Sequence, residues 1–408
     1  MTVFLGETPL MVGGYSVQAN VQGTFYIYLR RSISCGSLIS VDDGHPRLFL
    51  LGSYMHRLWS DTLQRLSPYT PGEQAQNSDV IKLNTNEHAL APSSGAVLAG
   101  QKLDLERLRR YPDSTSWLLT QAIAKANNVS SDQILVTNGS DEVLAFAWTA
   151  FLSDTDKVPA APAMTYTFYP VWAKLLGQGL HQVPMNSDLS IDVEALKAWD
   201  GPVVFPNPNA PTGLSLPLET IEELVAHSLN RLVLVDEAYF GFGAASAISL
   251  INQYDNLLIT RSFSKSHALA GLRVGYALAH ANLVEGLRRV KDSFNSYPVD
   301  AYAQCVATAA VSDSAWFAAA SATVKENRAE LTVGLTQLGF SVLPSEANFV
   351  LASHPAHTGL AFTEYLKSQN ILVRSWSSDD LLPWVRITVG TKDEQARLLS
   401  ALAEYLNG

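Results

Sequence analysis

From Asp132 onward, short apolar runs alternate with amphipathic helical stretches, and this alternation restricts the fold more than any other feature of the chain. Residues 133–137 read as a strand and 141–152 as a helix. Residues 202–205 read as another strand, followed by a helix through 221–227. The runs 231–235 and 257–260 are apolar and end in polar residues, and 273–279 is a further candidate strand. Strands alternating with helices build a mostly parallel sheet, because each crossover lays a helix on one of its faces. The fold class is therefore α/β. Ligands of such sheets sit beyond the carboxyl ends of the strands, so the polar residues closing each run are where chemistry is expected.

The tail differs. After a long helical region around 301–338 come short strands near 341–343, 349–352 and 385–389, with helices at 360–369 and 393–406. That pattern reads as a smaller α+β lobe, which the early segment from about Met55 to Arg110 joins. The expected division is a small domain from 55–110 and 325–408, a large domain from 111–324, and an extension over 1–54. The extension has no lysine and mixes apolar, glycine and serine residues without a sustained period, with a short strand over 24–29 at most. It is expected to be poorly ordered, or to precede a true start at Met55; an arm that wraps a partner subunit is the alternative.

Composition narrows the function. A chain of 408 residues with 47% hydrophobic content can bury large cores in two lobes. A net charge of −10 and the lack of any basic run interleaved with aromatics argue against a nucleic-acid surface. Two cysteines, Cys35 and Cys305, exclude a disulfide framework or a cysteine-rich metal site; no metal is expected, and a reducing cytoplasm is. No apolar stretch reaches the roughly 18 residues of a membrane helix. Glu7 and Gly13-Gly14 interrupt the N-terminal apolar residues and no basic region precedes them, so no signal peptide is expected.

Four strand ends carry the candidate chemistry. Asn138-Gly139-Ser140-Asp141-Glu142 opens a helix with free backbone N–H groups and the dipole end that suits a phosphate. Asn207-Pro208-Asn209-Ala210-Pro211-Thr212-Gly213 is a rigid turn presenting an asparagine amide. Asp236 ends an apolar strand, where a carboxylate needs a cationic partner; Tyr239 follows three residues on. Last, Ser262-Phe263-Ser264-Lys265 places a lysine beside serines, with Arg273 eight residues further. A desolvated, cation-rich pocket lowers a lysine's pKa and frees its amine for a Schiff base. A lysine beside a phosphate pocket, with a carboxylate for a protonated pyridine, suits pyridoxal 5′-phosphate (PLP).

In this order the motifs resemble those of PLP-dependent aminotransferases of the aspartate aminotransferase fold, class I and II, and most closely the histidinol-phosphate aminotransferases. The likeness runs from about Leu66 to Leu406. Its other pieces are Leu83-Asn84-Thr85-Asn86-Glu87, Arg110-Tyr111-Pro112, Thr165-Tyr166, residues 270–275 and Arg386-Ile387-Thr388-Val389-Gly390-Thr391. The resemblance implies a fold type I PLP-dependent transferase, with a mostly parallel seven-stranded sheet in the large, PLP-binding domain. It implies that Lys265 forms the Schiff base and Asp236 pairs with the pyridine nitrogen. Tyr239 and an asparagine bind the ring oxygen, and Tyr166 stacks on the ring. Ser140, Asp141, Ser262, Ser264 and Arg273 surround the phosphate. Tyr111 would reach the neighbouring subunit's cofactor in a homodimer with shared sites. One departure stands out: the family commonly has asparagine directly before the Pro-Thr-Gly, where this chain has Ala210, so Asn209 or else Asn207 must supply the ring-oxygen contact.

The expected reaction is transamination, with Lys265 moving a proton between substrate Cα and the cofactor. L-Histidinol phosphate is the expected donor, in histidine biosynthesis, and 2-oxoglutarate the acceptor. Arg386, Arg374, Tyr69 and Asn348 are the substrate-binding candidates, the two arginines because they grip anions bidentately. The alternatives are an aromatic or other amino-acid aminotransferase, a threonine-phosphate decarboxylase on the same scaffold, and a ligand-sensing regulator with an aminotransferase-like domain. The regulator would need a basic DNA-binding module that residues 1–54 do not resemble. Intact Lys265, Asp236 and Arg273 argue against a catalytically dead paralogue.

Overall fold

The computed structural model describes residues 58–67, 72–74, 79–153 and 156–408, together with five strands between residues 10 and 49. These fall into two units, Met1–Leu66 and Ser67–Gly408. In the first, strands Leu10–Val12, Tyr15–Ala19, Phe25–Tyr28, Gly36–Asp42 and His45–Phe49 pair antiparallel in chain order. A short helix, Asp61–Arg65, starts at Ser60, whose hydroxyl accepts the Leu63 N–H. One strand lies within the 24–29 expected from sequence. The others are too short for their period to stand out: Tyr15, Val17 and Ala19 alternate with Ser16 and Gln18 over only five residues. The expectation of a poorly ordered extension bears mostly on residues outside those described.

The second unit holds a seven-stranded sheet in the order Ile134–Thr137, Gly275–Ala279, Leu257–Ser262, Val233–Asp236, Val203–Pro206, Ala160–Pro162, His181–Val183. Six strands share a direction, and Gly275–Ala279 runs against both its neighbours. Its central strands are buried along their length because both faces are covered, and their first halves are apolar. Val203, Phe205, Val233, Val235, Leu257 and Ile259 face one way, onto helices Trp117–Asn127, Leu218–Ala226 and Ala301–Ser312. Val204, Leu234 and Leu258 alternate with them and face Ser140–Ala147 and Ala281–Phe294. The strands Ala160–Pro162 and His181–Val183, three residues each, escaped the sequence pattern.

A four-stranded antiparallel sheet follows later in the chain, in the order Ser341–Val342, Phe349–Ser353, Trp384–Thr388, Arg374–Ser375. Nearby, Ile81–Lys82 pairs with Ile371–Leu372. Val350, Ala352, Val385 and Ile387 pack on Leu331, Leu335, Phe362, Leu366, Leu398 and Leu402 from helices Ser314–Gln337, Gly359–Ser368 and Lys392–Asn407. The helical region expected over 301–338 is two helices, Ala301–Ser312 and Ser314–Gln337. Asp313 divides them, its carboxylate accepting the Trp316 N–H (3.0 Å) as a cap.

Candidate active site

Strands Val203–Pro206, Val233–Asp236 and Leu257–Ser262 lie side by side and parallel, with Pro206 opposite Asp236 and Asp236 opposite Thr260. Residues at and just beyond their carboxyl ends border one cavity of about 540 Å³. Asp236 sits in it and is 3% exposed. Its Oδ1 accepts the Ala238 N–H (3.1 Å) and its Oδ2 the Tyr169 hydroxyl (3.1 Å). Burial pushes this carboxyl up to about 7, the charges of Asp141 and Glu237 adding to the rise and the two donors opposing it. Among the described residues no lysine or arginine pairs with it. The next residue takes the opposite side: Glu237 forms a buried ion pair with Arg261 (2.8 Å) and accepts from Ser246 and the Ala247 N–H. Arg261 in turn lies 3.6 Å over the Phe240 ring. This pair braces the strand end from behind.

Lys265 belongs to the short helix Phe263–Ser266, and its Nζ donates to the Thr85 carbonyl (2.7 Å). Burial lowers this amine to about 8; Arg386, Lys82 and Arg273 push the same way and Glu87 opposes them. An appreciable fraction is then the free base near neutral pH, which nucleophilic chemistry requires.

A cradle lies to one side. Helix Ser140–Ala147 begins at Gly139, which has no side-chain cap and a φ of +78°. A Cβ on Gly139 would meet Arg273 Nη2 at 2.7 Å, so only glycine lets the guanidinium lie against the helix start. Arg273, itself left-handed at φ +53°, donates to Ser264 Oγ (3.2 Å) and to Asp141 Oδ2 (3.1 Å). The other Asp141 oxygen accepts the Tyr166 hydroxyl (2.9 Å). Ser140, Ser262 and Ser264 border the same cavity. Backbone N–H groups, hydroxyls and one arginine form the donor set for a phosphate.

Two more arginines border the cavity from the four-stranded sheet. Arg374 and Arg386 are direct cross-strand partners. Arg386 donates to the Asn84 carbonyl (3.0 Å), its guanidinium 5.3 Å from the Phe349 ring centre and 5.7 Å from that of Trp376. Tyr239 also borders the cavity and packs edge-on against Phe349.

Other expected residues lie elsewhere. Asn209 is fully buried and its amide is consumed inside the turn. Its Nδ2 donates to the Met164 carbonyl (2.9 Å) and Thr212 Oγ1 (3.2 Å), and its Oδ1 accepts from Thr165 Oγ1 (3.0 Å). Asn207 is tied in the same way to Leu216, accepting its N–H (2.8 Å) and donating to its carbonyl (3.4 Å). Both amides, expected as ring-oxygen contacts, are engaged by neighbouring protein groups, and of this turn it is Ala210 and Pro211 that border the cavity. Asn348 does not border the cavity either. It is 1% exposed, and its Nδ2 donates to the carbonyls of Asn86 (2.9 Å) and Glu87 (3.4 Å), supporting the wall from behind. Tyr111 does not border this cavity; it is 83% exposed, stacked on Tyr297, at a second cavity of about 650 Å³. Tyr69 lies outside the described residues.

Sequence reasoning assigned no role to Asn86 or Tyr169. Asn86 borders the cavity, and its Nδ2 donates to the Tyr239 hydroxyl (2.9 Å). Asn86 was visible only as part of Leu83-Asn84-Thr85-Asn86-Glu87, and Tyr169 reads in sequence as an ordinary core aromatic.

The sequence model for aminotransferase class I and II matches residues 78–402. Histidinol-phosphate aminotransferase 2 of Rhizobium meliloti (strain 1021) is 46% identical over 355 residues, covering 86% of this chain and 100% of that protein. Histidinol-phosphate aminotransferase of Gluconacetobacter diazotrophicus is 48% identical over 352 residues, covering 86% of this chain and 99% of the relative. Two solved structures share the fold. Histidinol-phosphate aminotransferase from Sinorhizobium meliloti, in complex with pyridoxal 5′-phosphate, has a TM-score of 0.77 at 23% identity and covers 86% of this chain and 98% of its own. An aspartate aminotransferase tetra mutant from Thermus thermophilus has a TM-score of 0.73 at 20% identity, with 86% and 99% covered. By the extent of the family match and the identity to these relatives, this chain belongs to the class I and II aminotransferases.

Proposed function

We propose that this enzyme uses pyridoxal 5′-phosphate to move the amino group of L-histidinol phosphate to 2-oxoglutarate, as a step of histidine biosynthesis. The observation that carries this reading is the arginine pair. Like charges directly opposite on neighbouring strands destabilise a sheet, yet Arg374 and Arg386 stand so on the cavity wall. A phosphate monoester relieves that repulsion, and guanidinium forks suit its oxygens. The names of the relatives at 46% and 48% identity support the same donor.

The cavity suits the cofactor on two counts: a buried carboxylate without a cationic partner among the described residues, and a cradle that a Cβ at Gly139 would fill. Asp236 would pair with a protonated ring nitrogen, which offsets its burial. Ser140, Ser262, Ser264, Arg273 and the N–H groups opening Ser140–Ala147 would hold the phosphate, with Asp141 orienting Arg273. Tyr166 would flank the ring and Tyr239 would donate to its oxygen. When bound, the cofactor supplies an electron-poor ring that stabilises negative charge beside the transferred nitrogen. Lys265, with its amine lowered to about 8, would take the proton from substrate Cα and return it to the carbon on the far side of the transferred nitrogen; a positioned base of this kind contributes about 10²–10⁴-fold.

The same reading assigns 111–324 to the cofactor lobe, and 55–110 with 325–408 to the lobe carrying the arginine pair. It includes a homodimer in which Tyr111 serves the neighbouring site, and a cytoplasmic location. Among the described residues no helix is long and apolar enough to cross a membrane.

Single half-reactions, followed by the cofactor's absorbance, test the donor. Histidinol phosphate should convert the enzyme at least about tenfold faster than phenylalanine or threonine phosphate, the margin of one charged hydrogen bond. Faster conversion by phenylalanine would overturn the assignment. Arg374→Ala should weaken histidinol phosphate while leaving the slow phenylalanine reaction unchanged.

A further inference from the structure

The proline turn keeps both its asparagines inside and offers the cavity Ala210 and Pro211. Tyr239 is then the expected ring-oxygen donor still facing the site. A phenol has a single hydrogen, and what else meets its oxygen decides where that hydrogen goes. Asn86 Nδ2 meets it at 2.9 Å. An amide N–H donates only, so this bond uses a phenol lone pair and leaves the phenolic hydrogen for another acceptor.

The orientation of the amide follows from Thr388. Its hydroxyl accepts the Asn86 backbone N–H (3.0 Å) and so has its hydrogen for Asn86 Oδ1 (3.3 Å), which turns Nδ2 toward Tyr239. Asn348 holds the Asn86 carbonyl (2.9 Å). These bonds keep Asn86 at a left-handed φ of +55° and 2% exposure, a conformation that asparagine and aspartate tolerate best after glycine. Thr388 is two residues along the strand from Arg386, on the same face. The strand that carries the substrate-side arginine therefore also sets this amide.

We propose that Asn86 is a positioning residue that fixes Tyr239 as a hydrogen-bond donor toward the cofactor's ring oxygen, in place of the asparagine that the turn lacks at position 210. This rests on the cofactor reading above. A ring oxygen deprived of its donor becomes more basic and holds the proton on the adjacent Lys265 nitrogen more tightly. The visible absorbance of the bound cofactor then titrates at higher pH.

The test is that pH titration on cofactor-loaded wild type, Tyr239→Phe, Asn86→Asp, Asn86→Ala and the Asn86→Asp/Tyr239→Phe double variant. An ionised aspartate accepts only, so it captures the phenolic hydrogen. Asn86→Asp should raise the midpoint in the same direction as Tyr239→Phe, by about one pH unit, the scale of one hydrogen bond. Asn86→Ala, which lets the hydroxyl rotate, should shift it less. The double variant should titrate with Tyr239→Phe alone. Wild-type midpoints in both Asn86 variants, or additive shifts in the double, overturn the inference. Wild type that binds the vitamer with no titrating absorbance overturns the cofactor reading instead, and this inference with it.

Discussion

Asp236 is held protonated to about pH 7 by burial, against an ordinary 3.8. The folded, cofactor-free protein therefore binds this proton more tightly than the unfolded chain. Between about pH 4 and 7 the folded state carries the extra proton, so stability falls as pH rises through that window and stays lower above it. Three pKa units at 1.36 kcal/mol each set a ceiling near 4 kcal/mol. Asp236→Asn, a neutral isostere, should make the cofactor-free protein roughly 2–4 kcal/mol more stable at pH 8 and leave it nearly unchanged at pH 4. Urea unfolding at both pH values checks this; an equal gain at both would remove burial of charge as the cause. The loaded variant should transaminate poorly, since an amide cannot keep a ring nitrogen charged. Stability is given up at this residue for function.

At the scale of elements, the start of helix Ser140–Ala147 does its work because Gly139 has no side chain. Gly139→Ala would place an L-residue at φ +78° and push a methyl into Arg273. A strain of about 1–2 kcal/mol should weaken cofactor binding by roughly tenfold or more, measurable by equilibrium dialysis. Unchanged affinity would mean that the cradle does not hold the phosphate. The strands Val203–Pro206, Val233–Asp236 and Leu257–Ser262 were legible because each opens with an apolar run that gives way to polar residues, at Asn207, Asp236 and Thr260. The direction of Gly275–Ala279 was not, since a run buried on both faces carries no mark of its sense. That Lys265, Asp236, Tyr239 and Arg273 border one cavity was legible because each lies close to the end of a strand. Asn86 could not, because its role depends on bonds to residues 302 and 262 positions away. Asn209 shows the converse limit: spacing put an amide in the turn but did not give the direction of its side chain.

At the scale of the whole molecule, Leu105, Leu108, Tyr111, Trp117 and Leu118 leave large apolar surface in water within one stretch of chain, Tyr111 at 83% and Leu118 at 73% exposure. Burying such surface against a second copy is favourable. Sedimentation should give twice the chain mass, and Leu118→Glu should shift it toward the single chain while weakening cofactor binding, the outcome that the proposed sharing of sites requires. A fully active wild-type monomer would exclude shared sites. The strand Gly275–Ala279 has a further consequence. It inserts between Leu257–Ser262 and Ile134–Thr137, the second of which was synthesised long before it, and it begins two residues after Arg273. The anion cradle therefore cannot exist on a nascent chain until this last strand has slotted into the sheet. Vitamin capture then reports that the sheet is complete, and a ribosome stalled before this point carries a chain that stays colourless.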